Sequence, residues 1–422
     1  MKRRAYLAAA AVALGGCAST DGAERSDDPD APADPTTSRR PATDRAPEAT
    51  ASEGGGDPDA DDGSEREAAT DVFPPLPTWT VRSGSRSAAG DGDAVVLEAA
   101  AADARVAVAH EFAAPADLSG VIPGLAVRSA AMVSPEIRLT DADGDRIAYR
   151  RTVPGGLPAM RYNFGVARVD GDPDLEAVVA AELRAWAGEG RAVEFECSDL
   201  HLAPRPNTGA VLLQFDDGYE TDYTEAFPIL EEYGYPATTF VNADRVPRET
   251  AGGYPTLDLD QLEALRDAGW LIGNHTTSHA RLSDLDAADQ EAQIADGAEW
   301  LRENGFEEGA RYFAYPFGDY DATTIDLVAD HHELGFGGGG AVEGYPANPA
   351  LCSRVGEPTL EEARTLLDRT AEHRGITSLF YHRLDGEAVD EFAATIEYLH
   401  DLEAAGDIEV VLPADLERRF LL

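Results

Sequence analysis

The chain has 422 residues, with 79 acidic against 34 basic side chains and a formal net charge of −45. Such an excess repels polyanions, which excludes a nucleic-acid partner and charge-driven adhesion to an anionic surface. Lys2 is the only lysine, and a dense carboxylate surface served by arginine points to a halophilic protein, kept soluble where salt screens self-repulsion.

Taken from the start, residues 1–17 read as an export signal rather than structure. Arg3-Arg4-Ala5-Tyr6-Leu7 is similar to the twin-arginine (Tat-type) signal. The apolar run 5–14 is too short to span a bilayer, and it ends in Leu14-Gly15-Gly16-Cys17, which resembles a lipobox. Cys17 is therefore the expected lipidation site. The only membrane contact expected is that lipid anchor, on the extracellular face of the cell membrane; the alternative is a plain signal peptide with an incidental cysteine. Residues 18–72 contain no aromatic residue, leucine or isoleucine. They cannot bury enough apolar surface to offset their ordering entropy, so a disordered acidic linker is expected. Cys197 and Cys352 fall in different predicted domains and read as buried thiols, not a bridge.

Over 73–205 the pattern is β. Short apolar or alternating runs at 94–97, 105–112, 124–128, 136–139, 146–150 and 193–197 are separated by turn residues. This spacing suggests a β-sandwich. Asp141-Ala142-Asp143-Gly144-Asp145 reads as a hairpin turn, since its glycine is misplaced for a helix-loop-helix calcium loop. Trp79, Tyr162 and Trp186 are candidates for glycan-stacking faces or for core aromatics.

From 208 onward strands and helices alternate, which implies a largely parallel sheet. Strands are expected at 210–213, 237–242, 270–272, 312–315, 378–381 and 408–412. Helices are expected after Thr221 or Asp222 up to Gly234, and over 260–268, 287–304, 359–373 and 389–404. The first strand ends in Gln214-Phe215-Asp216-Asp217-Gly218-Tyr219, two carboxylates at the carboxyl end of a buried strand, where α/β barrels keep their chemistry. His275 and His279 follow another apolar run. Their i, i+4 spacing would project both imidazoles from one face of a helical turn, and one carboxylate would complete a three-ligand metal set with positions open for water and substrate.

Phe215-Asp216-Asp217-Gly218-Tyr219, His275-Thr276-Thr277-Ser278-His279, Tyr315-Pro316-Phe317-Gly318 and Leu379-Phe380-Tyr381-His382 together resemble the successive motifs of the polysaccharide deacetylases. These are the NodB-homology, or carbohydrate esterase family 4, enzymes; the similarity covers about 208–422. The resemblance implies an irregular (β/α)7 barrel that hydrolyses the N-acetyl amide of amino sugars in surface or extracellular polysaccharide, releasing acetate. It implies a divalent metal, zinc with cobalt or nickel as alternatives, held by Asp217, His275 and His279. It makes Asp216 the general base, His382 the general acid and the Phe317 N–H the oxyanion donor. Tyr219 becomes a substrate contact, and Phe380 and Trp270 candidates for an acetyl-methyl pocket.

Two departures stand out. The family's third motif carries an arginine that orients the base, and Ala314 occupies that position here; Arg354 is the candidate to replace it in space. An Asp-Trp pair is not found between 340 and 376. The other readings are a metal amidase acting on a small non-sugar C–N substrate and an inactive glycan-binding surface protein. His331-His332 reads as a solvated helix end, and Gly337 to Gly340, which lacks the lysine and hydroxyl of a phosphate loop, as a flexible segment near the barrel mouth. Asn274-His275-Thr276 matches a glycosylation sequon, discounted because a glycan there would block the metal site.

Overall fold

The computed structural model describes residues 72–421, apart from 91, 187, 189 and 247–252. The export signal, Cys17 and nearly all of the acidic linker lie outside the described residues.

Eleven antiparallel strands come first: β1 (Thr80–Ser83), β2 (Ser85–Ala88), β3 (Val95–Ala99), β4 (Arg105–Ala116), β5 (Val121–Arg128), β6 (Pro135–Asp141), β7 (Arg146–Arg150), β8 (Met160–Asn163), β9 (Gly165–Asp170), β10 (Val178–Trp186) and β11 (Val193–Pro204). They form one sheet in the order β1-β4-β10-β6-β7-β9 and a second in the order β2-β3-β11-β5-β8. Alternation turns Val106 and Val108, Ile137 and Leu139, and Ala181 and Leu183 inward from the first sheet. Val95 and Leu97, Leu125 and Val127, and Phe195 and Cys197 meet them from the second. The β6–β7 turn forms as expected, with Asp141 Oδ1 accepting the N–H groups of Asp143, Gly144 and Asp145 at 2.9–3.0 Å. Trp79 and Tyr162 are each 1% exposed and belong to the core, so neither can stack on a glycan, whereas Trp186 is exposed. Cys197 and Cys352 are buried free thiols.

The second half is α/β, a curled parallel sheet with helices against it. Its elements are β12 (Gly209–Asp216), α1 (Phe227–Tyr233), β13 (Thr238–Val241), α2 (Leu259–Asp267), β14 (Leu271–Asn274), α3 (Ala287–Glu303), β15 (Tyr312–Ala314), α4 (Ala322–His331) and β16 (Leu334–Phe336). There follow β17 (Val355–Gly356), α5 (Leu360–His373), β18 (Ile376–Tyr381), α6 (Glu387–Ala405), β19 (Ile408–Val410) and α7 (Pro413–Phe420). The strand order is β16-β15-β14-β13-β12-β18-β17, with β19 branching from β12. At one end of this order β16 makes one parallel bridge, Phe336 to Cys352, with the chain leading into β17. Its hydrogen bonds run from Cys352 N–H to Gly335 O at 2.7 Å and from Gly337 N–H to Cys352 O at 3.0 Å.

The start of α1 differs from expectation. Thr221 makes no side-chain cap, and Asp222–Ala226 form a π-helical turn. The Asp222 carboxyl is buried and instead accepts the Thr239 hydroxyl at 2.7 Å; burial pushes it well above the usual carboxylate range.

Candidate active site

Every residue of β12 is buried, as in a parallel sheet covered on both faces. Val211, Leu213 and Phe215 point outward into the helix-side core, whereas Ala210 and Leu212 join the inner cluster. The same alternation leaves Asp216 facing inward at the carboxyl end, 2% exposed. Asp217, at φ 76°, turns out of the strand. Gly218 follows at φ 61°, where a Cβ would also lie 3.0 Å from Val241 Cγ1, so glycine is favoured.

The histidine segment corrects the expected helical turn. Thr276 and His279 have φ of 71° and 62°, and the segment is a loop. Asn274 Oδ1 accepts the Thr276 N–H at 2.9 Å, and Thr276 Oγ1 accepts the His279 N–H at 3.0 Å. Side-chain acceptors thus satisfy backbone groups that a helix would have paired internally. The Asn274 amide donates to Ile294 O at 2.8 Å and to His332 Nε2 at 3.0 Å. His332 is therefore a buried brace for this loop, not a solvated helix end. Burial takes its pKa down to about 3, keeping the ring neutral and Nε2 an acceptor.

Asp217 Oδ1 lies 3.1 Å from His279 Nε2 and 3.8 Å from His275 Nε2. One ligand atom from each of the three residues falls within 4.8 Å of the others. His275 Nδ1 faces Ala314 O at 2.7 Å; a carbonyl only accepts, so the proton sits on Nδ1 and Nε2 presents a lone pair. Burial lowers both imidazoles, His279 to about 4, so both are neutral near neutral pH. Arg245 Nη1 sits 2.8 Å from Asp217 Oδ1, yet neither atom makes a hydrogen bond. A buried carboxylate oxygen without a donor, beside two imidazole lone pairs, fits a divalent cation of the zinc, cobalt or nickel type.

Asp216 is held differently. Arg354 Nη1 and Nη2 donate to its Oδ1 and Oδ2 at 2.8 and 2.7 Å, and both side chains are 2% exposed. Burial alone would raise the Asp216 carboxyl; the Arg354 guanidinium outweighs it and holds the group below the usual carboxylate range. His275 acts in the same direction only when charged, so Arg354 is the cation that counts. Arg354 thus gives Asp216 a guanidinium contact that Ala314 cannot supply.

The β12–β18 register pairs Phe215 with Tyr381, which brings His382 to the strand end beside Asp216. His382 Nδ1 is 3.0 Å from Glu357 Oε1. Burial would lower the imidazole, but the hydrogen bond to Glu357 and the charges of Asp216 and Asp217 outweigh it and raise its pKa. Phe317, at φ 60° and 59% exposed, places its ring 4.4 Å from that of His279. Burial, and after it the charge of Asp217, push the Tyr219 phenol up. Phe380 lies under the Arg354 guanidinium at 4.0 Å and edge-on to His382 at 5.6 Å. Trp270 does not reach the site: it is 2% exposed and stacks on Phe215 at 5.4 Å in the outer core.

Among the described residues, nine non-glycine residues have positive φ, and Asp217, Thr276, His279, Phe317 and Glu357 are five of them. Strained backbone costs about 1–3 kcal/mol per residue and persists where the surroundings fix a side-chain direction, so its concentration here marks the site independently of residue type. Arg245, in the short turn after β13, and Glu357, just after β17, carry no motif and are found only in space.

A family model for polysaccharide deacetylase matches residues 203–334. The chitin deacetylase of Colletotrichum lindemuthianum is 33% identical over 115 residues, 27% of this chain and 44% of that protein. The poly-beta-1,6-N-acetyl-D-glucosamine N-deacetylase of Staphylococcus aureus is 30% identical over 128 residues, 28% of this chain and 44% of that protein. The chain thus spans under half the length of either relative. A solved family 4 carbohydrate esterase from Streptomyces lividans, in complex with acetate, is 15% identical with a TM-score of 0.37, covering 50% of this chain and 95% of that one. Residues 203–334 of this chain are thus similar to the polysaccharide deacetylases.

Proposed function

We propose that the protein is a metal-dependent deacetylase that hydrolyses the N-acetyl amide of amino sugars in surface or extracellular polysaccharide, releasing acetate. The observation that carries this reading is the meeting of Asp217, His275 and His279 within 4.8 Å, beside an Asp216 clamped by Arg354. The two relatives named above, one a chitin deacetylase and one acting on an N-acetylglucosamine polymer, support the substrate class. In this reading the curled sheet is the irregular (β/α)7 barrel, and the chain is exported by its Tat-type signal and lipid-anchored through Cys17 on the extracellular face.

Asp217, His275 Nε2 and His279 Nε2 would hold a divalent cation, which would supply Lewis-acid polarisation of the amide carbonyl and acidify water at the site. Asp216, kept ionised by Arg354, takes the proton of the attacking water. His382, kept protonated by Glu357, gives a proton to the departing amine. The Phe317 N–H meets the carbonyl oxygen as its charge develops.

The direct test is acetate release from N-acetylglucosamine oligomers in high salt, with metal analysis of the purified protein. Chelation should abolish turnover, and Zn²⁺ or Co²⁺ should restore it. Acetate release indifferent to chelation would end the metal-dependent reading.

The raised pKa of His382 gives a second expectation. A general acid must be protonated, so the alkaline limb of kcat/KM lies above the ordinary histidine range. Glu357→Gln removes the carboxylate that stabilises the imidazolium and should move that limb to lower pH, leaving the acid limb in place. A pH–rate profile checks it; an unmoved alkaline limb would show that Glu357 does not tune the acid.

A further inference from the structure

We infer that the β-sandwich takes part in the reaction by positioning its general base: Arg151, from the loop after β7, holds Ser353 and thereby aims the Arg354 guanidinium at Asp216. This inference rests on the deacetylase reading above.

Arg151 is an unusual side chain to find in a sandwich loop, because it is 2% exposed and its partners lie about two hundred residues away in sequence. Nη1 donates to Ser353 Oγ and to Glu343 Oε1, the latter at 3.3 Å, and Nη2 donates to Gly338 O at 3.4 Å. Cζ lies 5.6 Å from the centre of the Tyr162 ring, another sandwich residue. A buried guanidinium is costly unless its donors are met, and these acceptors all come from the segment 338–353.

Gly339 and Gly340 belong to the same arrangement. A Cβ on Gly339, at φ +132°, would lie 2.9 Å from Arg151 Cζ, and one on Gly340 would lie 2.5 Å from Glu343 Oε1. A side chain at either position would push the end of Arg151 or Glu343 aside, so glycine lets the backbone approach the pair closely here.

Ser353 sits between two fixed points. Cys352 is hydrogen-bonded on both sides to the chain leaving β16, and Val355–Gly356 pair with β18. Arg354 lies in the span between them and has to reach Asp216 in a two-pronged geometry that tolerates little rotation. Arg151 restrains the residue immediately before it. It touches no reacting atom and is a positioning residue.

The test separates positioning from simple attachment of the sandwich. Arg151→Met in the full chain should lower kcat about tenfold, the lower end of what loss of an outer supporting contact costs, with KM and metal content unchanged. In an Arg354→Met background the same change should cost nothing further, because the guanidinium it aims is gone. Arg151→Lys should recover part of kcat. Independently of turnover, ¹⁵N spectra of the arginine guanidinium groups should show Arg354 Nη signals resolved in the unaltered protein and merged by free rotation in Arg151→Met. Should that variant fail to fold, Ser353→Ala removes the link alone and carries the same expectations.

Unchanged kcat with unchanged Arg354 signals, or losses that multiply in the double variant, would overturn the positioning role. If the unaltered protein releases no acetate with any metal, the deacetylase reading fails, and the Arg354 spectra alone decide whether Arg151 aims the guanidinium.

Discussion

Asp216→Asn should leave the metal content of the protein unchanged and lower kcat about 10²–10⁴-fold, the range over which positioned general bases act. The two halves of this expectation have separate origins. The ligand cluster is built from Asp217, His275 and His279 without Asp216, whose Oδ2 lies 3.9 Å from His275 Nε2. Asparagine therefore removes no ligand. It does remove the proton acceptor, and it turns an amide N–H₂ toward one prong of Arg354, where a carboxylate oxygen had accepted at 2.7–2.8 Å. Some destabilisation follows, because the buried guanidinium loses its counter-charge. Metal stoichiometry and a melting curve on the same sample keep that loss apart from the catalytic one. Turnover retained within a few-fold, or metal lost together with turnover, would remove Asp216 from the role of base. In the unaltered protein the depressed carboxyl keeps this base ionised down to acid pH, so the acid limb of kcat/KM should lie below the usual carboxylate range.

Much of this site was legible in sequence for a definite reason. Chemistry at the carboxyl ends of parallel strands sits next to apolar runs, so Asp216, Asp217, His275 and His382 each announce themselves as polar residues closing a buried strand. What the residues do in space is less legible. His279 reads as a helical i+4 partner of His275, yet Asn274 and Thr276 side chains cap the backbone into a loop that brings both rings together by another route. Arg354 is a candidate to stand in for the third-motif arginine, and its sequence neighbours say nothing of its grip on Asp216. Arg245, Glu357 and Arg151 gave no signal, because each acts across long sequence separation from a short turn or loop with no period of its own.

The fold shows the same division. Strands rich in valine and isoleucine were recovered. β10 is not legible in this way: Val178–Trp186 mixes alanine, glutamate, leucine and arginine, good helix formers made into a central strand by partners on both sides. Trp270 illustrates the converse error. An aromatic residue just before a catalytic loop invites a pocket role, but it packs against Phe215 on the outer face of the sheet.

Arg354→Met should be the most damaging single change to stability at this site, and its cost should depend on pH. Arg354 and Asp216 are both 2% exposed, and removing one partner of such a pair leaves the other charge buried alone, typically at about 3–5 kcal/mol. Methionine roughly fills the stem's volume and can keep contact with Phe380, so packing is the smaller part of the loss. The sign with pH follows from the carboxyl. In the unaltered protein its folded pKa is depressed, so its contribution to stability is present above the unfolded value and is lost as pH falls through the folded one. Without the guanidinium, burial is no longer outweighed and the folded pKa moves above the unfolded value. The variant then gains relative stability as pH falls and the carboxyl takes up its proton. The gap in Tm between the two proteins should be wide at neutral pH and should narrow toward pH 4, with acetate release at neutral pH lowered but still measurable, because less of the base is ionised. Arg354→Lys should restore part of the stability but little turnover, since a single ammonium cannot reproduce the two-pronged grip. A Tm gap that stays constant with pH would mean that Arg354 serves packing, and that the ionisation of Asp216 is set by something else.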